Sequence, residues 1–267
     1  MTKPTVGSVI ADLVAEQQAL DAVVAKLDDA QWELSTPSPR WAVRDQIGHL
    51  AFFDETAALA ITDPDGFAAH RESFTAAAFA SAEAADDATL GATRAMSAPA
   101  LLAHWRAQRA ALEAAASSCA EDARIEWYGP SMGAKSFLTA RLMEAWAHGQ
   151  DICDAVGAER SPTDRLRHIA QLGYITRPWT YVNRGLPVPD GEVHVALTAP
   201  SGATWTWGPA QAEATVTGTA LDFCLVTAQR RNVADVDLVI DGEIAVDWLG
   251  KAQLFAGPPS DPPSPRG

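Results

Sequence analysis

The sequence predicts an all-helical region followed by a small α+β unit, and three observations carry that expectation. Apolar residues recur at helical spacing through roughly the first 185 positions. After Gly185 the texture changes to short, β-branched and aromatic runs separated by turn residues. The last stretch, GPPSDPPSPRG (257–267), is rich in proline and serine and is expected to be disordered. The expected domains are therefore 1–185, 186–256 and a tail, 257–267.

The first helix is marked by Val6, Ile10, Leu13, Val14, Leu20, Val24 and Leu27, which fall on one face. TPSPRW (36–41) breaks the pattern, and a second helix is expected from Val43 to about Ile61, ended by TDPDG. An alanine-rich helical region covers roughly 65–85. Ser97, followed by Pro99, opens a helix reaching about Ser117. EWYGPSMG (126–133) reads as a loop, because Gly-Pro is a turn signal. A long helix is expected from about Lys135 to Val156, closed by Gly157. Ser161-Pro162 suits the start of a further helix running to about Tyr181. LPVPDG (186–191) is a linker-like turn; VHVALTAP, ATWTWG and AEATVTG then read as strands, ALDFCLVTAQRR as a helix, and DLVIDGE with IAVDWLGKAQLF closes the unit.

Composition narrows the function classes. The chain has 267 residues, 48% of them hydrophobic, enough to bury a core without disulfides. Lysine and arginine number 20 against 34 acidic residues, for a net charge of −14. Such a surface repels phosphate backbones and anionic lipid, so neither nucleic acid nor a membrane is an expected partner. No stretch reaches the roughly 18 apolar residues of a membrane span. The N-terminal segment meets Asp12 and Glu16 before any apolar run develops, unlike a secretion signal. Cys119, Cys153 and Cys224 are odd in number and form no CxxC pair, as expected of reduced thiols in the cytoplasm. Arginine outnumbers lysine 16 to 4, a bias associated with GC-rich genomes.

Chemistry concentrates on two helices. In RLMEAWAHGQDICDA (141–155), Arg141, Glu144, His148 and Asp151 fall within an arc of roughly 80° at ~100° per residue. The rest of that helix is apolar, so it belongs inside a bundle, and its polar stripe would be buried with it. Buried charges need partners, and a metal ion is one kind of partner. In RDQIGHLAFFDETAALA (44–60), Asp45, His49, Phe52, Phe53 and Thr56 share a face. If the two helices pack together, His49, Glu144 and His148 converge into a three-ligand set that leaves one position for water or substrate. Asp45 and Asp151 would then accept the far ring N–H groups of His49 and His148. The alternative is plain helix pairing, Arg141 with Glu144 and His148 with Asp151, and periodicity alone favours it.

The wording of these segments adds a resemblance. PRWAVRDQIGHLAFFDETA (39–57) resembles the metal-binding helix of DinB-like proteins and, more closely, the N-terminal domain of mycothiol-dependent maleylpyruvate isomerases. WYGPSMGAKSFLTARLMEAWAHGQDICDAVG (127–157) is similar to the later metal-binding helix of the same group. The resemblance implies a four-helix, DinB-like bundle followed by a small sterol-carrier-like α+β domain. It also implies a divalent metal, zinc first and nickel or iron as alternatives, held at His49, Glu144 and His148. The family enzyme isomerises a cis double bond with mycothiol, the small thiol of actinobacteria; the arginine-rich composition agrees with such a host. Cys153 lies about 180° from Glu144 on the helical wheel, so a reacting thiol would come from outside the protein. The wording departs from the true isomerases before the first histidine, where this chain has Arg44-Asp45-Gln46, and is closer to uncharacterised relatives. The same metal set with a different substrate is the inference.

Tyr128, Ser131 and Met132, in the loop before the metal helix, and Thr56 are candidates for contact with substrate or thiol; a packed turn is the alternative for the loop. Arg230 or Arg231 would assist an anionic substrate or thiol, as the resemblance implies, the alternative being a solvated helix end that favours cations. Trp205 and Trp207 are expected in the core; His70, His104, His168 and His194 are expected on the surface or in structural roles; Trp41 is expected to staple its helix to the bundle. The functional expectation is a cytoplasmic, metal-dependent isomerase or transferase, monomeric or homodimeric, acting on a small polar or anionic molecule. Mycothiol is its expected cosubstrate. The alternatives are a non-catalytic metal or ligand carrier, and a hydrolase or lyase that uses metal-activated water and no thiol.

Overall fold

The computed structural model of the chain describes residues 4–78 and 81–266. It divides into two compact units, Met1–Glu159 and Arg160–Gly267.

In the first unit, α1 (Val6–Val24), α3 (Val43–Thr62), α6 (Ala98–Ala116) and α7 (Ala134–Val156) are the long helices. Each packs on two of the others: α3 on α6 and α7, and α1 on α6 and α7. That closed cycle of contacts is a four-helix bundle. α1 starts in a capping box, with Thr5 Oγ1 accepting from the Ser8 N–H at 3.1 Å and Ser8 Oγ accepting from the Thr5 N–H at 2.9 Å. Of its expected face, Val6, Leu13, Leu20 and Val24 are buried, Ile10, Val14 and Leu27 are half-buried, and Val9 joins the buried set. Gly157 ends α7 in the left-handed conformation, φ 66°, as a closing glycine does. Leu20, Val24, Trp32, Val43, Ile47, Leu50, Leu101, Trp105 and Ile152 form one continuous core. Each such side chain, fully buried, contributes roughly 1.5–3 kcal/mol.

Short elements elaborate this bundle. α2 (Asp29–Trp32) is a single capped turn that delivers Trp32 to the core. The expected helix over 65–85 is two helices, α4 (Pro64–Ala78) and α5 (Ala82–Arg94), both packed on α3; residues 79–80 of that expectation lie outside the described residues. The loop 126–133 is the turn of a small antiparallel hairpin, β1 (Arg124–Ile125) with β2 (Met132–Gly133), which pairs Ile125 with Met132.

The second unit begins earlier than residue 185. α8 (Leu166–Ile175) packs on α10 (Ala220–Thr227), so the boundary lies after Glu159 and not after Gly185. The two helices approach closely: a Cβ on Gly173 would lie 2.8 Å from Thr227 Oγ1. Pro178 breaks the expected helix to Tyr181 into α8 and α9 (Arg177–Val182), since proline lacks the N–H and crowds the preceding turn. The sheet has the order β4 (Thr204–Trp207), β3 (Val193–Thr198), β5 (Ala214–Thr219), β6 (Val239–Asp241). β3 pairs antiparallel with β4 and parallel with β5, and β5 pairs antiparallel with β6. α11 (Glu243–Leu249) covers β5 and β6 and buries Trp248. Trp205 is in the core as expected, whereas Trp207 is only half-buried and donates to Gln171 Oε1 at 2.7 Å.

The tail departs from its expected disorder. Gln253, fully buried, accepts from the Ser260 N–H at 3.1 Å. Gln229 Nε2 donates to the Ser260 carbonyl at 2.9 Å, Asn232 Nδ2 to the Pro263 carbonyl at 2.8 Å, and the Arg266 N–H donates to Asp235 at 2.9 Å. An extended proline-rich strand has free carbonyls, and amide side chains of the unit satisfy them.

Candidate metal centre

α3 and α7 lie side by side, and their register brings His49, Glu144 and His148 together. One ligand atom from each lies within 4.8 Å of the others. His148 Nε2 is 3.0 Å from Glu144 Oε2, and His49 Nε2 is 3.4 Å from the same oxygen. His148 is 8% exposed. The imidazole rings stand 4.4 Å apart, between Phe53 at 4.6 Å and Trp41 at 4.9 Å from His49. Burial, followed by the neighbouring His148, lowers the His49 pKa to about 4, so the ring is neutral near pH 7. Burial would raise Glu144, but its contacts with His148 and His49 outweigh that and hold it well below the usual carboxylate range.

The other ring nitrogen of His148 fixes which nitrogen faces the carboxylate. His148 Nδ1 lies 2.5 Å from Gln46 Oε1. The amide cannot be turned round, because Gln46 Nε2 donates to Thr36 Oγ1 at 2.8 Å and that hydroxyl donates to the Trp41 carbonyl at 2.9 Å. Nδ1 therefore carries the proton. Nε2 is then the nitrogen that faces the Glu144 carboxylate, with the second imidazole nitrogen beside it. A cation lying among these three atoms would find two ring nitrogens and one carboxylate oxygen as ligands. Two imidazole nitrogens and a carboxylate oxygen suit a divalent ion of the zinc type.

The residues expected around the ligands divide. Asp151 Oδ2 stands 3.7 Å from His148 Nδ1, beyond hydrogen-bond range, and accepts from Ser38 Oγ at 3.2 Å. Asp45 does not serve His49. It accepts from the Ala42 N–H at 3.0 Å, closing the start of α3, and from Arg94 Nε at 2.8 Å. The carboxylate at the third position of a helix reaches back to the free N–H groups there, and that local demand wins. Gln46, which sequence reasoning passed over, takes the orienting role. Trp41 is a wall of the site as well as a staple; Asp86 holds its Nε1 at 3.1 Å.

Thr56 is buried, and Tyr128 packs on Phe53 with ring centroids 5.7 Å apart. Burial raises the Tyr128 phenol to about 12, against the pull of the Thr56 hydroxyl and the Arg141 charge. Tyr128 Oη meets His70 Nε2 at 2.8 Å, so His70 is structural in the aromatic group around the site. Ser131 and Met132 go elsewhere: Ser131 Oγ accepts from Arg124 at 2.9 Å, and Met132 pairs with Ile125. Arg230 and Arg231 belong to the second unit, where they donate to the carbonyls of Ala228 at 2.7 Å and Arg230 at 2.6 Å.

Comparison with known proteins places this chain in a family. The mycothiol maleylpyruvate isomerase N-terminal domain matches residues 13–153. Uncharacterized proteins from two strains of Mycobacterium tuberculosis are each 45% identical over 253 residues, covering 95% of this chain and 97% of theirs. A crystal structure of mycothiol-dependent maleylpyruvate isomerase superposes with a TM-score of 0.56 at 20% identity, covering 86% of this chain and 92% of that one. A histidine-to-alanine variant of that isomerase gives a TM-score of 0.58 at 17% identity over the same shares. At such identities the likeness is one of fold. The domain match, which spans more than half of the chain, settles descent: this chain belongs to the mycothiol maleylpyruvate isomerase N-terminal domain family.

Proposed function

We propose that this protein is a divalent-metal-dependent enzyme, with zinc the first candidate, that acts on a small polar or anionic molecule with a mycothiol-like thiol as cosubstrate, in isomerisation or S-transfer. The observation that carries the reading is the convergence of His49, Glu144 and His148 within 4.8 Å, with the tautomer of His148 set by Gln46. A bound divalent ion would supply Lewis acidity, lowering the pKa of a coordinated thiol or water towards neutrality.

The chain's own residues account for the rest. His49 stays neutral and offers its lone pair, because burial disfavours the imidazolium. The aromatic side chains Trp41, Phe53 and Trp127 restrict water around the ligands and strengthen electrostatic interactions there. Cys153 is buried within α7 and belongs to the core, which supports a thiol of external origin.

The test is metal content. Protein purified without added metal, measured by mass spectrometry of its ions, should carry about one ion per chain, and His148→Ala little or none. Equal metal in both proteins removes the reading. Turnover that proceeds without any thiol would move the assignment to a metal-dependent hydrolase or lyase.

A further inference from the structure

Arg141 is 7% exposed and lies one turn before Glu144 on α7. Its guanidinium sits 5.1 Å from the centre of the Trp127 ring and 5.6 Å from that of Phe53. Phe53 in turn packs on His49. Among the described residues no group accepts a hydrogen bond from this guanidinium, and its Nε is fully buried without a partner.

The nearby carboxylates are engaged elsewhere. Glu144 faces the two imidazoles. Asp54 accepts from Gln17 at 3.0 Å and from Trp105 at 3.2 Å. The positive charge of Arg141 is nonetheless felt at His49, Asp54, Tyr128 and Glu144, which places it at the centre of this group. A desolvated cation–π contact is favourable. Removing an unpaired cation from water costs more than such a contact returns. The aromatic rings alone do not offset the burial of Arg141.

We propose that the Arg141 guanidinium is the receptor for a carboxylate group of the substrate, bound beside the metal centre. This deepens the function proposed above and rests on it for the neighbouring metal alone. A guanidinium fork matches a carboxylate edge to edge with two parallel hydrogen bonds. The flanking Phe53 and Trp127 rings favour a flat partner over a tetrahedral one. A phosphate dianion would bring a second negative charge next to Glu144, one more than the Arg141 guanidinium neutralises. A monocarboxylate neutralises Arg141 and leaves no charge over.

The experiment uses the full-length protein, once with metal removed by a chelator and once metal-loaded, at fixed ionic strength set with sodium chloride. Acetate and inorganic phosphate are the probes. Melting temperature is followed against probe concentration, and the Nε–H signals of the arginines are followed by ¹⁵N nuclear magnetic resonance. Acetate should raise the melting temperature of the wild type in both metal states and should shift the Arg141 Nε–H signal. Arg141→Met should weaken the acetate response by about tenfold or more, with Arg141→Lys in between. The proposal is overturned if Arg141→Met responds as the wild type does, if acetate leaves the Nε–H signal unmoved, or if phosphate moves it as far as acetate. Should Arg141→Met not fold, the wild-type resonance still decides. Metal content of His148→Ala is read separately, so loss of the metal reading and loss of this one are distinct results.

Discussion

Gln46 Oε1 stands 2.5 Å from His148 Nδ1, at the end of a relay that runs back through Thr36 Oγ1 to the Trp41 carbonyl. The relay fixes which imidazole nitrogen faces Glu144. Replacing Gln46 with Leu should lower metal affinity roughly 10- to 100-fold, as losses of such orienting partners do. Competition against a chelator measures it; an affinity equal to wild type would show that the relay does not orient His148.

Asp45, one residue earlier, should behave in the opposite way. Its carboxylate closes the start of α3 and meets Arg94. Asp45→Ala should cost about 1–2 kcal/mol of stability, mostly through the lost helix start. The ion pair adds little, because Arg94 is 35% exposed. Metal affinity should not change. Metal loss comparable to that of Gln46→Leu would restore Asp45 to the ligand support.

Asp54 sets a pH dependence. Burial raises its pKa to about 7, against the opposing pulls of Arg141, Trp105 and Arg109. The folded protein thus binds a proton that the unfolded chain, with a carboxylate near 3.8, releases over most of that interval. The stability from this proton is fully present below pH 3.8 and is lost as pH rises through about 7. Asp54→Asn should therefore gain on the wild type as pH rises, by an amount on the order of 4 kcal/mol at pH 8. Urea unfolding of both proteins from pH 5 to pH 8 checks this. A gap that does not widen with pH refutes the assignment of a buried, protonated Asp54.

Gly48, next to His49, records how closely α3 and α5 approach. A Cβ there would lie 2.5 Å from Thr93 Oγ1 and 3.2 Å from Thr93 Cβ. Gly48→Ala should destabilise by about 1–2 kcal/mol despite the better helix former. Adding Thr93→Ala should recover much of that loss, a coupling that a double-mutant cycle in denaturant would measure. Additive losses would mean the two positions do not touch.

How far these features were legible follows from how local each one is. The face of α1, the glycine that ends α7 and the alternating strands are written in the period of the chain, because a helix or a strand repeats its environment every few residues. The packing of α8 on α10, with Gly173 against Thr227, is not legible, because the two helices lie about fifty residues apart and nothing in their local periods pairs them. The tail reads as disordered by composition, but two of the partners that hold it, Gln229 and Asn232, each stand 31 residues from the carbonyl they bind. At the site, Glu144 and His148 share a face of one helix and were legible together. Gln46 was not: it lies about 60° from His49 on the helical wheel, and only the packing of α7 brings His148 to its side-chain oxygen.

The class of elements, the two-part order of helices and sheet, and the side chains available to hold a metal can all be read from the chain before it folds. Those properties depend on residue type and short-range spacing. Folding adds that Gln46 and not Asp45 meets His148, that Arg141 is buried with no hydrogen-bond partner at Nε, and that Met1–Glu159 closes as its own unit. Each of those depends on the register between helices far apart in the chain, which is set by how whole side chains interlock and not by any repeating pattern.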